Sequence, residues 1–184
     1  KLKEMDARFR LLKAGMKVLD LGAAPGSWSL YAAERVGPRG LVLACDLQST
    51  ETAFPANVTF LRENVFERTP EFEALLDETG PFDLVMSDMA PRTTGTKFTD
   101  QARSLELCLE AVAVADRWLK PGGRFVAKIF MGPDFQELAR AVRARFDSVK
   151  TFKPNSSRAE SKEIFELGLG FKSAPVGGEN RSEA

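Results

Sequence analysis

The sequence contains no histidine and only two cysteines, and both shortages limit its chemistry. Without histidine, the commonest general base and the commonest metal ligand are missing, so any proton transfer must use lysine, carboxylate, tyrosine or cysteine side chains. Cys45 and Cys108 lie in apolar segments without C-x-x-C spacing. This pattern is typical of buried, reduced thiols rather than of a disulfide or a zinc site. We therefore expect no metal site and a cytoplasmic location.

The chain also lacks net charge and long apolar runs. Its 26 basic residues balance 26 acidic residues, so any surface that binds nucleic acid must be local. No apolar run approaches the ~20 residues that span a bilayer, and we expect no membrane partner. The length of 184 residues fits a single domain. We expect that domain to cover residues 1–172 and a disordered tail of mostly small and polar residues to follow at 173–184.

Apolar strands alternate with helices along the chain, which predicts an α/β fold. Near-continuous apolar runs predict strands at 17–21, 40–46, 58–61, 82–86 and 124–130. Such runs are typical of a parallel sheet that is covered on both faces. Apolar residues at helical spacing predict helices over 28–36, 99–119 and 135–146, and the Gly122–Gly123 pair is expected to end the second of these. The segments 148–152 and 164–171 have no helix between them, which indicates antiparallel pairing.

The segment DLGAAPGSW, residues 20–28, joins the first strand to the first helix through Gly22 and Gly26. In a doubly wound fold a nucleoside ligand binds beyond the strand ends, and an acid that closes the second strand, here Asp46, binds the ribose hydroxyls. The segment matches neither G-x-G-x-x-G nor a P-loop, which disfavours ligands with a pyrophosphate. S-adenosylmethionine has no phosphate, and the carboxylates of Asp20, Asp46 and Asp88 would stabilise its sulfonium. The alternative is a tight turn with only a structural role.

Two charged residues stand where the predicted strands reach the same crevice. Asp88 follows the strand at 82–86, and Pro91 then directs the chain away, so that the carboxylate is expected to face the crevice. Lys128 interrupts the apolar strand at 124–130, where a buried charge is costly unless it is paired. The alternative for each residue is an ordinary solvated ion pair, which contributes ~0 to 1 kcal/mol.

Five segments in order, DLGAAPGSW, ACDL, MSDMAP, GGRFVAKIF and KPNSSRAESKEIF, carry a resemblance that extends to Lys172. Together they resemble the FtsJ (RrmJ) family, the bacterial 2′-O-methyltransferases of large-subunit ribosomal RNA. The resemblance implies a Rossmann-like, class I S-adenosylmethionine-dependent methyltransferase. Its seven-stranded, mostly parallel sheet would have an antiparallel last strand and helices on both faces. The implied substrate is a uridine ribose of 23S ribosomal RNA, and the implied partner is the large ribosomal subunit.

The family carries a Lys-Asp-Lys-Glu tetrad, which is matched here by Lys1, Asp88, Lys128 and Glu163. The family's cofactor contacts are matched by Gly26, Trp28, Asp46 and Asp88, and Gly22 belongs to the same turn, although Trp28 is also compatible with a place in the core. Asn64 replaces an aspartate that the family usually has near adenine; its amide oxygen still accepts a hydrogen bond but brings no charge. The family normally has a basic segment before the first lysine, which would add positive charge.

Methyl transfer to a ribose hydroxyl mainly requires alignment of the two reactants and the handling of one proton. A neutral Lys128 could take that proton, although a free lysine titrates near ~10.4. Alternatively, a cationic Lys128 could orient the oxygen lone pair while the proton leaves late. The resemblance favours the base role, with Lys1 and Glu163 orienting the lysine.

Residues near the crevice with cationic or hydroxyl side chains are candidates for RNA contact: Arg92, Lys97, Lys153, Ser156, Ser157, Arg158 and Lys162. The segment MSDMAP offers neither an aromatic residue to stack a flipped base nor a catalytic cysteine, which favours a hydroxyl as the methyl acceptor. Two alternatives remain open: a methyltransferase of the same fold that acts on another RNA or a small molecule, and a non-catalytic RNA-binding ribosome assembly factor. We expect a monomer.

Overall fold

A computed structural model describes residues 1–158 and 161–173. Within these residues the elements follow one another as α1 (Leu2–Phe9), β1 (Lys17–Leu21), α2 (Ser27–Val36), β2 (Leu41–Asp46), β3 (Val58–Arg62), α3 (Pro70–Thr79), β4 (Phe82–Ser87), α4 (Lys97–Trp118), β5 (Leu119–Phe130), α5 (Phe135–Arg143), β6 (Phe146–Phe152) and β7 (Glu163–Phe171). The alternation of strands and helices confirms the predicted α/β class.

The seven strands form one sheet in the order β3-β2-β1-β4-β5-β7-β6. Strands β1 to β5 are parallel, whereas β7 runs antiparallel to both β5 and β6. This confirms the predicted sheet with an antiparallel last strand. The chain order reverses between β1 and β4, and a crevice opens at such a point beyond the carboxyl ends of the strands.

Apolar side chains cover both faces of the sheet. On one face, α3, α4 and α5 contribute Phe72, Trp118 and Leu138 to a buried cluster. On the other face, α1 and α2 contribute Met5 and Trp28 to a second cluster. Burial on both faces explains why the central strands are continuous apolar runs rather than alternating ones.

Three local predictions need correction or extension. The helix α4 ends at Trp118, and the Gly122–Gly123 pair lies inside β5 rather than at the helix end, because Leu119 already pairs with Phe82 of β4. Phe146 was expected in the helix before it, but it begins β6 and pairs with Phe171. The short helices α1 and α3 were not located from the sequence.

Both cysteines are buried free thiols, as expected. Burial raises the pKa of Cys45 and of Cys108 to about 12, so neither is a reactive thiolate near neutral pH. The predicted disordered tail concerns residues 173–184, of which 174–184 lie outside the described residues, and it stays a prediction. Among the helices described, none has the length and apolar character needed to cross a membrane.

Candidate active site

The turn after β1 is shaped by two glycines with positive φ. Gly22 has a φ of +77°, and Gly26, which precedes α2, has a φ of +122°. A Cβ on Gly22 would lie 2.9 Å from the Cα of Met89, so the turn packs against the segment that follows β4. A Cβ on Gly26 would lie 2.7 Å from the ring of Phe54. Backbone conformation and close packing therefore both require glycine at these two positions.

A cleft of about 610 Å³ opens at the carboxyl ends of β1, β2 and β4. It brings together four residues of the predicted cofactor site, namely Gly22, Asp46, Asn64 and Asp88. Trp28 is buried instead, with its ring centroid 5.8 Å from that of Phe165. Neither Trp28 nor Gly26 is among the residues that line the cleft. Trp28 packs in the core, and the cofactor contacts expected of both residues stay predictions.

Backbone hydrogen bonds hold the polar side chains of the cleft. The carboxylate of Asp46 accepts from the backbone N–H of Ala24 at 2.9 Å and from that of Gln48 at 2.8 Å. Asn64 Oδ1 accepts from the backbone N–H of Phe66 at 3.0 Å. Each of these oxygens has a further lone pair, so both side chains can still accept hydrogen bonds from a ligand.

Two apolar residues of the cleft were missed in the sequence. Leu47 is 63% exposed and Phe66 is 49% exposed, and both line the cleft. Large apolar side chains in solvent beside a cleft offer flat contact surface to a ring. The available signal was weak, namely one apolar residue directly after Asp46 and an aromatic residue in the polar segment ENVFER.

The four residues of the predicted tetrad come together in space. Lys128 Nζ lies 3.1 Å from Asp88 Oδ1 and 3.8 Å from Glu163 Oε1. Lys1 Nζ donates to Glu163 Oε2 at 2.7 Å. Lys1 precedes α1, Asp88 follows β4, Lys128 lies in β5 and Glu163 begins β7. The fold thus joins residues far apart in sequence into one cluster beside the cleft, with the side chain of Lys128 buried.

The two acids of the cluster have pKa values shifted in opposite directions. Burial raises the pKa of Asp88 above its ordinary value, although the neighbouring Lys128 opposes this shift. Burial also acts to raise the pKa of Glu163, but the hydrogen bond from Lys1 and the charge of Lys128 outweigh it, so that this pKa is lowered. Glu163 therefore stays ionised to a lower pH than a free glutamate does, whereas Asp88 takes up a proton at a higher pH than a free aspartate does.

Asp20 was expected near the cofactor, but the structure buries it in β1, outside the set of residues that line the cleft. Its Oδ2 accepts from Ser29 Oγ at 2.6 Å, and its Oδ1 has no hydrogen-bond partner among the described residues. Burial raises the pKa of Asp20 to about 7. Near neutral pH this residue is therefore partly protonated, and the acidic residues that line the cleft are Asp46, Glu63 and Asp88.

The candidate RNA-contact residues divide into two groups. Arg92 lines the cleft, while Lys97 and Lys162 line a second cavity that also includes Glu163. Between β6 and β7, Lys153 Nζ donates to the carbonyl oxygen of Ser161 at 2.9 Å.

In the same segment, the carboxylate of Glu4 accepts from the backbone N–H of Asn155 at 3.0 Å and from that of Ser156 at 3.2 Å. Ser156 Oγ also donates to Glu4. These bonds, which we call the Glu4 clamp, tie α1 to the segment that leads into β7.

The sheet order and the cleft at its reversal point define a Rossmann-like methyltransferase fold. A protein from Plasmodium falciparum, described as a ribosomal RNA methyltransferase, matches with a TM-score of 0.81 and 24% identity over 94% of this chain and 95% of its own. The fibrillarin pre-rRNA processing protein of Methanococcus jannaschii matches with a TM-score of 0.61 and 16% identity over 89% of this chain and 70% of its own. At these identities the likeness concerns the fold.

The chain belongs to the FtsJ-like methyltransferase family, whose sequence profile matches residues 1–171. A relative from Nitratidesulfovibrio vulgaris, named ribosomal RNA large subunit methyltransferase E, is 73% identical over 172 residues, which cover 94% of this chain and 84% of the relative. A relative of the same name from Oleidesulfovibrio alaskensis is 64% identical over 183 residues, covering 100% of this chain and 88% of its own. Family membership confirms the resemblance drawn from the sequence and implies a methyl donor.

Proposed function

We propose that this protein transfers the methyl group of S-adenosylmethionine to the 2′-hydroxyl of a ribose in large-subunit ribosomal RNA, with a uridine of 23S RNA as the target. The names of the close relatives support ribosomal RNA as the substrate. The observation that carries the proposal is the contact between Lys128 and Asp88 at 3.1 Å, directly beside the cleft. A sugar hydroxyl at this point would lie next to both a bound donor and an amine.

The cleft fits S-adenosylmethionine by its chemistry. Asp46 would accept hydrogen bonds from the ribose hydroxyls of the donor, and Asn64 Oδ1 would accept one from the adenine amine. Leu47 and Phe66 provide apolar surface for the adenine ring. Three acidic residues line the cleft, namely Asp46, Glu63 and Asp88, and their carboxylates suit a sulfonium. When bound, the donor supplies an activated methyl group.

The tetrad would align the acceptor and remove its proton. In its neutral form, Lys128 Nζ takes the proton of the 2′-hydroxyl and becomes cationic, and Asp88 and Glu163 hold the lysine side chain in position. Lys1 holds Glu163 through its bond of 2.7 Å, and so fixes the outer side of the cluster. Positioning accounts for the larger part of the rate, because the methyl carbon is already activated by the sulfonium.

The test is a transfer assay with tritiated S-adenosylmethionine and three acceptors: large ribosomal subunits that lack methylation, free ribosomal RNA, and a metabolite extract. We expect label in RNA, recovered after digestion as a 2′-O-methylated nucleoside. The same label should lie next to an alkali-resistant linkage, because alkaline cleavage of RNA needs a free 2′-hydroxyl. Label on a base would contradict the ribose assignment, and label only in metabolites would contradict RNA as the substrate.

We also propose that the enzyme acts as a monomer in the cytoplasm. The monomer is supported by the tetrad, because all four of its residues come from one chain. Sedimentation of the active protein at assay concentration tests the monomer, and a dimer under these conditions would contradict it.

A further inference from the structure

A second cavity of about 360 Å³, which we call the side pocket, adjoins the tetrad. Its walls include Thr93, Gly95, Gln101, Phe130, Lys162 and Glu163. The segment from Asp88 to Thr96 contributes to both cavities, because Arg92 lines the donor cleft whereas Thr93 and Gly95 line the side pocket. The side pocket and the cleft are therefore neighbours that share this segment as a wall.

Glu163 connects the side pocket to the proposed chemistry. Its carboxylate lines the pocket, and its Oε1 lies 3.8 Å from Lys128 Nζ. A ribose held at Lys128 would thus have the donor cleft on one side and the side pocket on the other. The base attached to that ribose must extend away from the donor, and the side pocket is the cavity that continues from the tetrad.

The walls of the side pocket combine an apolar face with fixed polar groups. Phe130 offers its ring, and the flat amide of Gln101 is held by a hydrogen bond of 2.6 Å from Nε2 to the carbonyl oxygen of Met131. Gln101 is 6% exposed, so this amide has little freedom to turn, and its Oε1 remains an acceptor. Lys97 and Lys162 add positive charges to the wall, and Asp100 and Glu163 add negative ones. A flat ring with hydrogen-bonding edges matches this combination better than an aliphatic ligand does.

Exposed apolar side chains stand next to this pocket in the chain. Phe98 is 72% exposed and follows Lys97 of the pocket wall, and Met131 is 48% exposed and follows Phe130. The bond between Gln101 and Met131 joins the first turns of α4 to the end of β5. Aromatic side chains interspersed with lysines are typical of surfaces that bind unpaired RNA, where bases stack on rings and cations contact phosphates.

We propose that the side pocket binds the unstacked base of the nucleotide whose ribose is methylated, a proposal that rests on the proposed function. The base enters between Phe130 and Gln101, its ribose lies at Lys128 and Glu163, and Phe98 extends the contact surface outside the pocket. The enzyme accordingly requires a target nucleotide that is single-stranded or flipped out of a helix. A base that stays stacked in a duplex cannot reach the pocket.

The first test fills the pocket. Thr93 is exposed, so Thr93→Phe should fold normally while its ring occupies the cavity. We expect KM for unmethylated large ribosomal subunits to rise about tenfold or more, with the dissociation constant for S-adenosylmethionine unchanged within about twofold. Thr93→Ser controls for loss of the threonine. Leu30→Phe controls for an added ring, because Leu30 is exposed on α2 and is not among the residues that line either cavity.

Phe98 provides a second variant that leaves the pocket itself intact. Phe98→Ala should raise the RNA KM about fivefold, which is the scale of one lost base-stacking contact, and Phe98→Tyr should restore it. If the unmodified enzyme methylates ribose and Thr93→Phe has wild-type kinetic constants, the side-pocket proposal is wrong and the proposed function still stands. Absence of ribose methylation by the unmodified enzyme would overturn the proposed function and the side pocket with it.

Photo-crosslinking to the wild-type enzyme locates the bound base directly. Its result does not depend on whether a variant also disturbs the tetrad. Ribosomal RNA that contains 4-thiouridine is bound to the wild-type enzyme, irradiated and digested, and the attached peptides are located by mass spectrometry. We expect crosslinks to the peptides that contain Gln101, Phe130 or Lys162. Crosslinks confined to other peptides, or retained RNA binding without a crosslink in the pocket, would overturn the proposal.

Discussion

Lys128 is the residue on which the proposed chemistry depends, and its surroundings fix its position. Its side chain is buried between Asp88 and Glu163, and its backbone carbonyl oxygen accepts from Cys108 Sγ at 2.9 Å. A buried lysine in an apolar strand is costly unless it is paired, so the two acids explain how the strand tolerates it. The sequence could predict this residue because its charge interrupts an apolar run.

Replacement of Lys128 tests the catalytic role directly. Lys128→Ala should lower the rate of transfer by a factor of about 10² to 10⁴, because the proton acceptor is lost. The affinity for S-adenosylmethionine should stay within a few fold, since Lys128 is proposed to touch the acceptor oxygen. Single-turnover kinetics and calorimetry measure the two quantities. Lys150→Ala, at an exposed position of β6, is the control, and near-normal turnover in Lys128→Ala would remove the lysine from the mechanism.

Lys128→Arg distinguishes the base role from the orienting role. An arginine keeps the positive charge but does not lose its proton in proteins. If Lys128 acts as the base, the arginine variant should be as inactive as Lys128→Ala. Recovery of a substantial part of the rate in the same single-turnover assay would show that charge and orientation suffice.

Asp20 offers a test of how a buried carboxyl group makes the stability of the protein depend on pH. Its folded pKa of about 7 is raised from an ordinary value of 3.8. Between these two values the folded protein keeps the proton that the unfolded chain releases, so stability contributed by this group falls as pH rises from about 4 through 7. Asp20→Asn has no charge to bury, and its amide oxygen can still accept from Ser29.

The free energy of unfolding of Asp20→Asn, relative to wild type, should therefore rise by on the order of 2 kcal/mol between pH 5 and pH 8. Urea unfolding at several pH values measures it. Glu51→Gln, at an exposed position, should show no comparable trend. A difference between Asp20→Asn and wild type that is constant across this pH range would contradict the assigned shift.

Side chains of the site were predictable to different degrees. Asp46 and Asp88 could be predicted from the sequence, because acids that follow apolar runs meet at one edge of a parallel sheet. The two remaining tetrad residues, Lys1 and Glu163, came only from the resemblance, because nothing local marks them as neighbours. Leu47 and Phe66 could not be found, since an exposed apolar residue has the same local sequence as a buried one until the cleft around it is known.

At the scale of elements, the apolar strands were predictable, whereas the helices α1 and α3 were not. Strands buried on both faces have a strong local pattern, which explains the agreement for β1 and β2. The helix α1 has eight residues, and its stability comes from packing of Leu2 and Met5 against the sheet rather than from its own sequence. The beginning of β5 was also missed, because pairing of Leu119 with Phe82 outweighs the local tendency of Pro121 and the glycines to break structure.

From the Glu4 clamp we predict that α1 contributes to catalysis only by holding Lys1 in position. Glu4 ties α1 to Asn155 and Ser156, and so holds Lys1, before α1, close to Glu163 of β7. Glu4→Ala should lower kcat about tenfold, because a small displacement of the cluster weakens alignment, while donor affinity and the thermal midpoint change little.

The clamp has two informative controls. Glu4→Gln keeps one acceptor oxygen for the backbone N–H groups and should restore part of kcat. Glu34→Ala removes an exposed acid from α2 and should leave kcat unchanged. Loss of thermal stability in Glu4→Ala without a change in kcat would mean that the clamp has only a structural role.

At the scale of the whole molecule, the protein has no net charge, but several cationic side chains lie where RNA is proposed to bind. Lys97 and Lys162 stand at the side pocket, and Arg158 is exposed in the segment before β7. Lys97 and Lys162 line the same cavity as Glu163 of the tetrad, so we expect these cations and Arg158 to contact RNA phosphates although the protein as a whole carries no excess charge.

RNA binding should therefore depend on salt, while donor binding should not. Each phosphate contact to a single strand lowers the slope of log K against log salt by roughly 0.7. Lys97→Ala combined with Arg158→Ala should reduce the magnitude of the slope by about 1.4. Filter binding across a series of potassium chloride concentrations measures it, with calorimetry for the donor. A slope unchanged in the double variant would place the phosphates elsewhere.

The position of β7 between β5 and β6 has a consequence for protein synthesis. Every residue that lines the donor cleft lies between Gly22 and Leu107, whereas Glu163 is reached much later along the chain. During translation, the segment that lines the proposed donor cleft is made well before the strand that completes the tetrad. We expect a nascent chain to have no methyl transfer activity until β7 has been inserted between β5 and β6, because only then is Glu163 in place.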